Sequence, residues 1–192
     1  SQRYRRLLLC ETGGDSMSDK RTNVGQQFDR LPATDGDRTV EGRASRAAVV
    51  DFFAERFGID PAVFENFTFW EKGKGKIWIF AADAPSPICV EGLGMTVLRT
   101  RQEHWKPTQS AIQRFGGHAT KNVIEIDGEA AATFARGEDQ ELDWDGDWGY
   151  LIAAHDVGGE REPIGVGLYV YGELRSTVPK GNQESLSPLS TD

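Results

Sequence analysis

The sequence predicts an α+β protein in which a small α/β domain is followed by a small mixed β-barrel. Residues 45–117 show two apolar helical segments, two β-prone runs, a further strand and a final helix, an order typical of a small α/β domain. After residue 120 the pattern is mostly strand, and the edges of such a sheet need to be covered or closed, which favours a partly closed barrel. A chain of 192 residues is long enough for two such domains, each with its own core.

Residues 1–43 are predicted to be a disordered lead-in, because residues 17–43 are polar and show neither helical nor strand periodicity. The first methionine is Met17, and residues 1–16 are interpreted as an extension upstream of the protein's true start. The first domain is expected to span residues 44–117 and the barrel residues 118–181. A flexible, serine-rich tail is expected to follow at residues 182–192.

The first domain is predicted to begin with a helix capped by Ser45, because apolar side chains from Val49 to Phe57 repeat on one helical face and Gly58 can end it. Asp60 and Pro61 resemble a cap and the first position of a second, short helix.

A hairpin is predicted next, since two β-prone runs at residues 68–70 and 77–80 enclose a polar insert with two glycines. A strand at residues 95–100 and a helix from about residue 108, stopped by Gly116 and Gly117, complete the domain. The barrel is predicted to contain a strand at 122–127, a helix at 128–136, and strands at 149–155, 164–171 and 174–178.

The charge balance is unusual for a nucleic-acid-binding protein. The chain carries 30 acidic and 22 basic residues, a formal net charge of −8, whereas RNA-binding domains usually present a basic surface. We interpret the acidity as adaptation to high salt, where carboxylates keep a protein surface hydrated and soluble. Local charge then indicates partners better than total charge does. No run approaches the ~20 apolar residues of a membrane span, so we expect a cytoplasmic protein without membrane contact.

No metal site is predicted. The two cysteines and three histidines lack the spacing typical of metal ligands. Residues 143–147 imitate the beginning of a calcium-binding loop, but Trp148 and Ala154 occupy the positions at which that loop needs glycine and glutamate. A solvated acidic loop is the better interpretation, and we expect neither a metal ion nor another cofactor.

Several segments of the last third occur in an order that is known from one family. They are KNVIEID at 121–127, AATFARGED at 131–139, GYLI at 149–152, and the closing stretches IGVGLY at 164–169 and LRSTVPKG at 174–181. Together they resemble the PUA family of RNA-binding domains. The closing stretches, and the stretch from Gly92 to Thr108, are similar to the C-terminal region of the RsmF-type ribosomal RNA cytosine-5 methyltransferases. An α/β domain before a PUA domain also resembles small ribosome-biogenesis proteins of the Nip type.

The resemblance implies a pre-PUA domain followed by a PUA-like barrel, and a protein that recognises structured ribosomal or transfer RNA in ribosome biogenesis or RNA modification. The expected partners besides RNA are an RNA methyltransferase or a ribosomal precursor particle. DNA is not expected as a partner. A cytosine-5 methyltransferase needs a glycine-rich loop for S-adenosylmethionine and a cysteine nucleophile. The sequence shows no such loop, and Cys89 lacks the family's preceding proline. We therefore expect a non-catalytic protein.

Three alternatives remain open at this point. The chain could be a protein–protein adaptor that uses its acidic surface, an accessory subunit of an RNA methyltransferase, or an enzyme whose site is not recognisable from sequence. A deep pocket with a strongly perturbed titratable group would favour the enzyme.

The candidate RNA-binding residues are basic. Lys72, Lys74 and Lys76 alternate with glycine at the predicted hairpin tip, where they can follow a phosphate backbone while Trp70 or Trp78 stacks a base. The alternative is a solubilising turn with both tryptophans in the core. The PUA resemblance adds residues at the helix-end loop, on or after the last strand, before the first strand and at the domain boundary: Arg136 and Gly137, Arg175 and Lys180, Lys121, and Lys106. Gly137 also suits an ordinary helix end.

Overall fold

A computed structural model of the chain describes residues 26–179, and these residues form an α+β fold. They divide into two compact units: residues 26–51 with 62–105 form the first unit, and residues 52–61 with 106–179 form the second. Helix α1, Arg46–Phe57, contributes residues to both units. No helix among residues 26–179 is long and apolar enough to cross a membrane.

The first unit is built on an antiparallel sheet whose strands lie in the order β4-β1-β2-β3-β5. Their bounds are β1 Gln26–Arg30, β2 Thr68–Lys72, β3 Lys76–Phe80, β4 Ile88–Val90 and β5 Met95–Arg99. The side chain of Ser45 accepts a hydrogen bond from the backbone N–H of Ala48 at 3.0 Å, which confirms the predicted cap of α1. The predicted second helix is a single 3-10 turn at Pro61–Phe64.

Strand β1 corrects the prediction that residues 1–43 are disordered, as far as residues 26–43 are concerned. It pairs with β2 on one side and β4 on the other, and Phe28 at its centre is fully buried. A 3-10 turn at Asp35–Asp37 follows. A strand with a single apolar residue shows no alternating pattern, and β1 is held by pairing with residues about 40 to 60 positions away. Residues 1–25 and the predicted tail at 182–192 lie outside the described residues.

The second unit contains a mixed five-stranded sheet in the order β7-β9-β10-β11-β8, in which β7 and β9 are parallel and the other neighbours antiparallel. Its elements are β6 Lys106–Pro107, α2 Gln109–Phe115, β7 Val123–Glu125, α3 Gly128–Ala135, β8 Gln140–Glu141, β9 Gly149–Val157, β10 Glu160–Val170 and β11 Glu173–Ser176. Within the described residues its pairing ends at β7 and β8, so the sheet is a curled half-barrel. The predicted α+β class is confirmed.

The boundary between the units lies before α2 and not at residue 117, because α2 packs within the second unit. The side-chain oxygen of Gln109 accepts a hydrogen bond from the N–H of Val166 at 2.8 Å, and its amide donates to Thr177 at 2.5 Å. The helix thereby bridges β10 and the segment after β11, and its buried face adds Ala111 and Ile112 to the interior.

The core of the half-barrel forms around Phe134 of α3, which is fully buried among side chains of four strands. Gly165 and Gly167 of β10 make room for it, since a Cβ at either position would lie 3.0 Å from the ring of Phe134. The helix therefore lies close against the strand. The segment between α3 and β9 carries the acidic side chains Asp143, Asp145 and Asp147.

Candidate nucleic-acid interface

The predicted hairpin is present, and a three-residue loop, Gly73-Lys74-Gly75, joins β2 to β3. Both glycines have positive φ, 64° and 79°, in the left-handed region that only glycine enters readily. The carboxylate of Glu71 accepts hydrogen bonds from the backbone N–H of Gly75 at 2.9 Å and from Nε of Arg43 at 3.0 Å. Glu71 is buried, so its charge is used inside the unit to hold the loop.

A row of cations crosses three strands at the base of this loop. Lys72 lies directly opposite Lys76 in the pairing of β2 with β3, and Lys76 lies directly opposite Arg99 in the pairing of β3 with β5. Side chains of directly opposed residues project from the same face of a sheet. Like charges in such pairs destabilise a sheet. Three in a row therefore need a counter-charge to be favourable.

A cavity of about 420 Å³ lies beside the row, and its lining contains five cations and no carboxylate: Lys72, Lys74, Lys76, Arg99 and Arg101, with Gly73, Gly75 and Gln102. Arg101 is held against the loop, because the N–H of Thr100 donates to the carbonyl of Gly75 at 2.8 Å. Lys74 and Arg101 also border a second cavity of about 590 Å³, which includes Asp29, Glu41 and Glu71. We call the five cations the hairpin cluster.

The hairpin cluster differs in its ion pairing from five arginines of the described residues. Within residues 26–179 none of the five cations forms an ion pair with a carboxylate. By contrast, five arginines of the same range do: Arg30, Arg38, Arg43, Arg136 and Arg175. The hairpin therefore brings five cations without a carboxylate partner in this range to one place in a chain of net charge −8.

The two tryptophans of the hairpin have different environments. Trp70 is completely buried, and its indole N–H donates to the hydroxyl of Thr68 at 2.8 Å, so the suggestion that Trp70 stacks a base is wrong. Trp78 is half-buried, with the ammonium groups of Lys72 and Lys76 at 5.9 and 6.0 Å from its ring centroid. Its indole N–H is buried and has no hydrogen-bond partner among the described residues. Stacking by Trp78 stays a prediction.

The basic residues predicted from the PUA resemblance are less available. Arg136 lies at the end of α3 and forms an ion pair with Glu138 at 3.3 Å. Gly137 follows with a φ of 77°, which agrees with the interpretation of this glycine as an ordinary helix end. Arg175 on β11 pairs with Glu173 at 2.9 Å. A neighbouring carboxylate already compensates each guanidinium. RNA contact by these three residues stays a prediction.

Three further lysines were predicted from the same resemblance. Lys121 is exposed before β7, and Lys106 is half-buried in β6. Lys180 lies outside the described residues. Among the predicted residues, the three hairpin lysines line one cavity. RNA contact by Lys106, Lys121 and Lys180 stays a prediction.

Arg99 and Arg101 are the members of the hairpin cluster that sequence reasoning missed. They lie more than 20 positions after the lysines and are interrupted by Thr100, so they form no basic run. The available signal was the expected strand at 95–100, because a strand following a hairpin commonly pairs with it and ends beside its loop.

The opposite charge accumulates in the second unit, in the segment between α3 and β9. Asp143, Asp145 and Asp147 alternate there with Trp144, Gly146 and Trp148. Arg56 of α1 holds the end of this segment: its guanidinium donates to the carbonyl of Tyr150 at 2.8 and 3.0 Å and to that of Trp148 at 3.3 Å. Burial lowers the pKa of Arg56, and nearby Asp147 opposes this. Residues 26–179 contain no group of three or more metal-ligating side chains.

Comparison with known proteins gives a separate result for each half of the chain. Residues 16–94 match a family of unknown function (DUF7122), and residues 121–182 match the methyltransferase RsmF PUA domain. A search of curated proteins found no significant match. The second match confirms the PUA-like similarity of residues 121–182, and neither match is to a catalytic methyltransferase domain. The likeness of residues 92–108 to the stretch before the barrel stays a prediction.

Proposed function

We propose that this protein binds RNA and that the hairpin cluster of the first unit supplies the principal phosphate contacts. The observation that carries the proposal is the set of five cations around one cavity, without an ion-pair partner among residues 26–179. The PUA-like second unit supports the choice of RNA as the polyanion, since PUA domains generally bind RNA.

The geometry of the cluster suits a phosphate backbone. Neighbouring strands are ~4.8 Å apart, so the row from Lys72 through Lys76 to Arg99 is roughly 10 Å long. That length suits more than one phosphate group along a strand. Lys74 at the loop tip and Arg101 beside Gly75 extend the positive surface to both sides of the loop. Arginine forks bind phosphate with two parallel hydrogen bonds, and lysines act as point charges.

The RNA class, the setting and the lack of catalysis belong to the same proposal. We propose that the RNA is structured ribosomal or transfer RNA and that the protein acts in ribosome biogenesis or RNA modification. It would do so without catalysis, as an accessory to an RNA methyltransferase or on a precursor particle. The support is the similarity of residues 121–182 to a methyltransferase PUA domain.

The test is a titration of labelled RNA across a salt series. Fluorescent transfer RNA and ribosomal RNA transcripts are titrated with the full chain at four or more KCl concentrations. Each phosphate neutralised on a single strand contributes about −0.7 to the slope of log affinity against log salt. Replacing Lys72, Lys74 and Lys76 together with alanine should therefore make the slope shallower by about 2.

Two matched variants keep the result interpretable. Replacing the same three lysines with arginine keeps the charge and should keep the slope. Replacing Arg136 and Arg175 with glutamine removes charges that are already paired, and it should change the slope by much less. An unchanged slope in the alanine variant, together with a shallower slope in the glutamine variant, would mean that the second unit and not the hairpin cluster contacts the RNA. Absence of salt-dependent binding in every variant would refute RNA binding itself.

A further inference from the structure

The second unit carries an exposed aromatic pair that the proposed RNA interface does not use. Tyr171 is 82% exposed and Trp148 is 54% exposed, the two most exposed aromatic residues within 26–179. Their rings contact each other edge to face, with centroids 4.9 Å apart. Large aromatic side chains left in water beside each other are typical of binding surfaces.

The backbone conformation at Tyr171 is also unusual for a tyrosine. Tyr171 and Gly172 form the two-residue turn between β10 and β11, and both have positive φ, 53° and 77°. Asparagine, aspartate or glycine normally occupies the first position of such a turn. Tyrosine is strained there, and no buried contact accounts for its presence, because its side chain is almost entirely in solvent.

Tyr171 of this pair also lines a cavity of about 870 Å³. Its lining combines two further aromatic residues with three carboxylates: Glu141, Leu142, Asp143, Trp144, Asp145, Tyr169, Tyr171 and Gly172. Glu141, Asp143 and Asp145 form no ion pair within residues 26–179. The cavity is thus the electrostatic opposite of the hairpin cluster.

Hydrogen bonds hold the aromatic walls in place. The indole N–H of Trp144 donates to the carbonyl of Asp147 at 3.0 Å, and the hydroxyl of Tyr169 donates to the carbonyl of Leu142 at 2.7 Å. Arg56 binds the carbonyl of Trp148, as described above. An ordered aromatic surface loses little conformational entropy when a ligand binds.

We propose that this surface binds a basic segment of a partner protein, with an arginine or lysine side chain over the rings of Tyr171 and Trp148 and its charge towards Asp143 and Asp145. Aromatic faces attract cations, and unpaired carboxylates beside them select a positively charged occupant. RNA is disfavoured here, because its phosphates would meet three carboxylates without a counter-charge. The surface would let one molecule hold RNA at the hairpin and a basic protein at the half-barrel.

The experiment uses the full chain and two synthetic peptides. One alternates arginine with glycine; the other carries citrulline, which is neutral and similar in shape, at each arginine. Binding is followed by NMR shifts of the tryptophan indole signals and by calorimetry. The arginine peptide is expected to bind at least tenfold more tightly than the citrulline peptide and to shift the Trp148 indole signal.

Variants at Tyr171 separate the aromatic contribution from charge alone. Tyr171→Asn suits the positive φ of the turn, so the fold is retained, and it should weaken binding of the arginine peptide at least fivefold. Tyr171→Phe keeps the ring and should bind as the unaltered protein does. Equal binding by Tyr171→Asn, or equal binding of both peptides, would overturn the proposal.

Discussion

The two glycines of the hairpin loop provide a matched pair of substitutions that tests how the hairpin cluster is held together. Gly73 and Gly75 both have positive φ, so alanine at either position meets the same conformational cost of about 1–2 kcal/mol, partly offset by the lower entropy of the unfolded chain. A Cβ at Gly73 meets no atom within 4 Å. Gly73→Ala should therefore lower the free energy of unfolding by about 1 kcal/mol.

Gly75→Ala should be more destabilising because of Arg101. A Cβ at Gly75 would lie 2.2 Å from the Cγ atom of Arg101 and 2.9 Å from its backbone nitrogen. The side-chain atom can move, but the backbone nitrogen follows Thr100, whose N–H is hydrogen-bonded to the carbonyl of Gly75. Such overpacking adds about 1–3 kcal/mol, which brings the expected loss to about 2–4 kcal/mol.

Urea unfolding of both variants, followed by tryptophan fluorescence, measures this difference. RNA affinity supplies a second measurement, since Gly75→Ala displaces Arg101 from the cluster and should weaken binding, while Gly73→Ala should leave binding nearly unchanged. Equal loss of stability in the two variants would refute the contact between the loop and Arg101. Equal RNA affinity would remove Arg101 from the interface.

Three other outcomes are expected. Gly167→Ala should lower the free energy of unfolding by about 1–3 kcal/mol in urea unfolding, because the added methyl would lie 2.7 Å from Leu174 and 3.0 Å from Phe134; an unchanged midpoint would contradict that packing. The hydroxyl of Ser45 and the guanidinium of Arg38 lower the pKa of Asp35, so its stabilising effect is present above the ordinary pKa of 3.8 and lost as pH falls through the lower folded value. Acid unfolding of Asp35→Asn should then depend less on pH in this range, and an identical pH profile would count against the interaction. If the acidity reflects adaptation to salt, the melting temperature should rise with KCl concentration; a maximum at low ionic strength would contradict it.

The sequence indicates local elements much better than long-range pairing. The hairpin, the cap of α1 and the helix after Asp127 follow from neighbouring residues, whose turn and capping preferences act within a few positions. Strand β1 was missed because its stability comes from pairing with two strands distant in the chain. The two-residue strand β8 carries too short a pattern to be recognised.

The same limit applies to the candidate site. Lys72, Lys74 and Lys76 are visible because a short loop places them together in sequence as well as in space. Arg99 joins them through the pairing of β3 with β5; the sequence predicts a strand at 95–100 but not the partner or register of that strand. Ion pairing is also not visible in sequence, and it is what distinguishes Arg136 and Arg175 from the hairpin cluster.

The row of Lys72, Lys76 and Arg99 has no carboxylate partner within residues 26–179, so binding of an anionic ligand there should change the stability of the fold. Without an anion these side chains repel one another across the sheet, so the free protein gives up part of its stability. A bound polyanion removes the repulsion, and any ligand that binds only the native state also raises stability by mass action. Preparations that retain cellular nucleic acid should therefore melt at higher temperature than stripped ones, and phosphate buffers should reduce the difference between them.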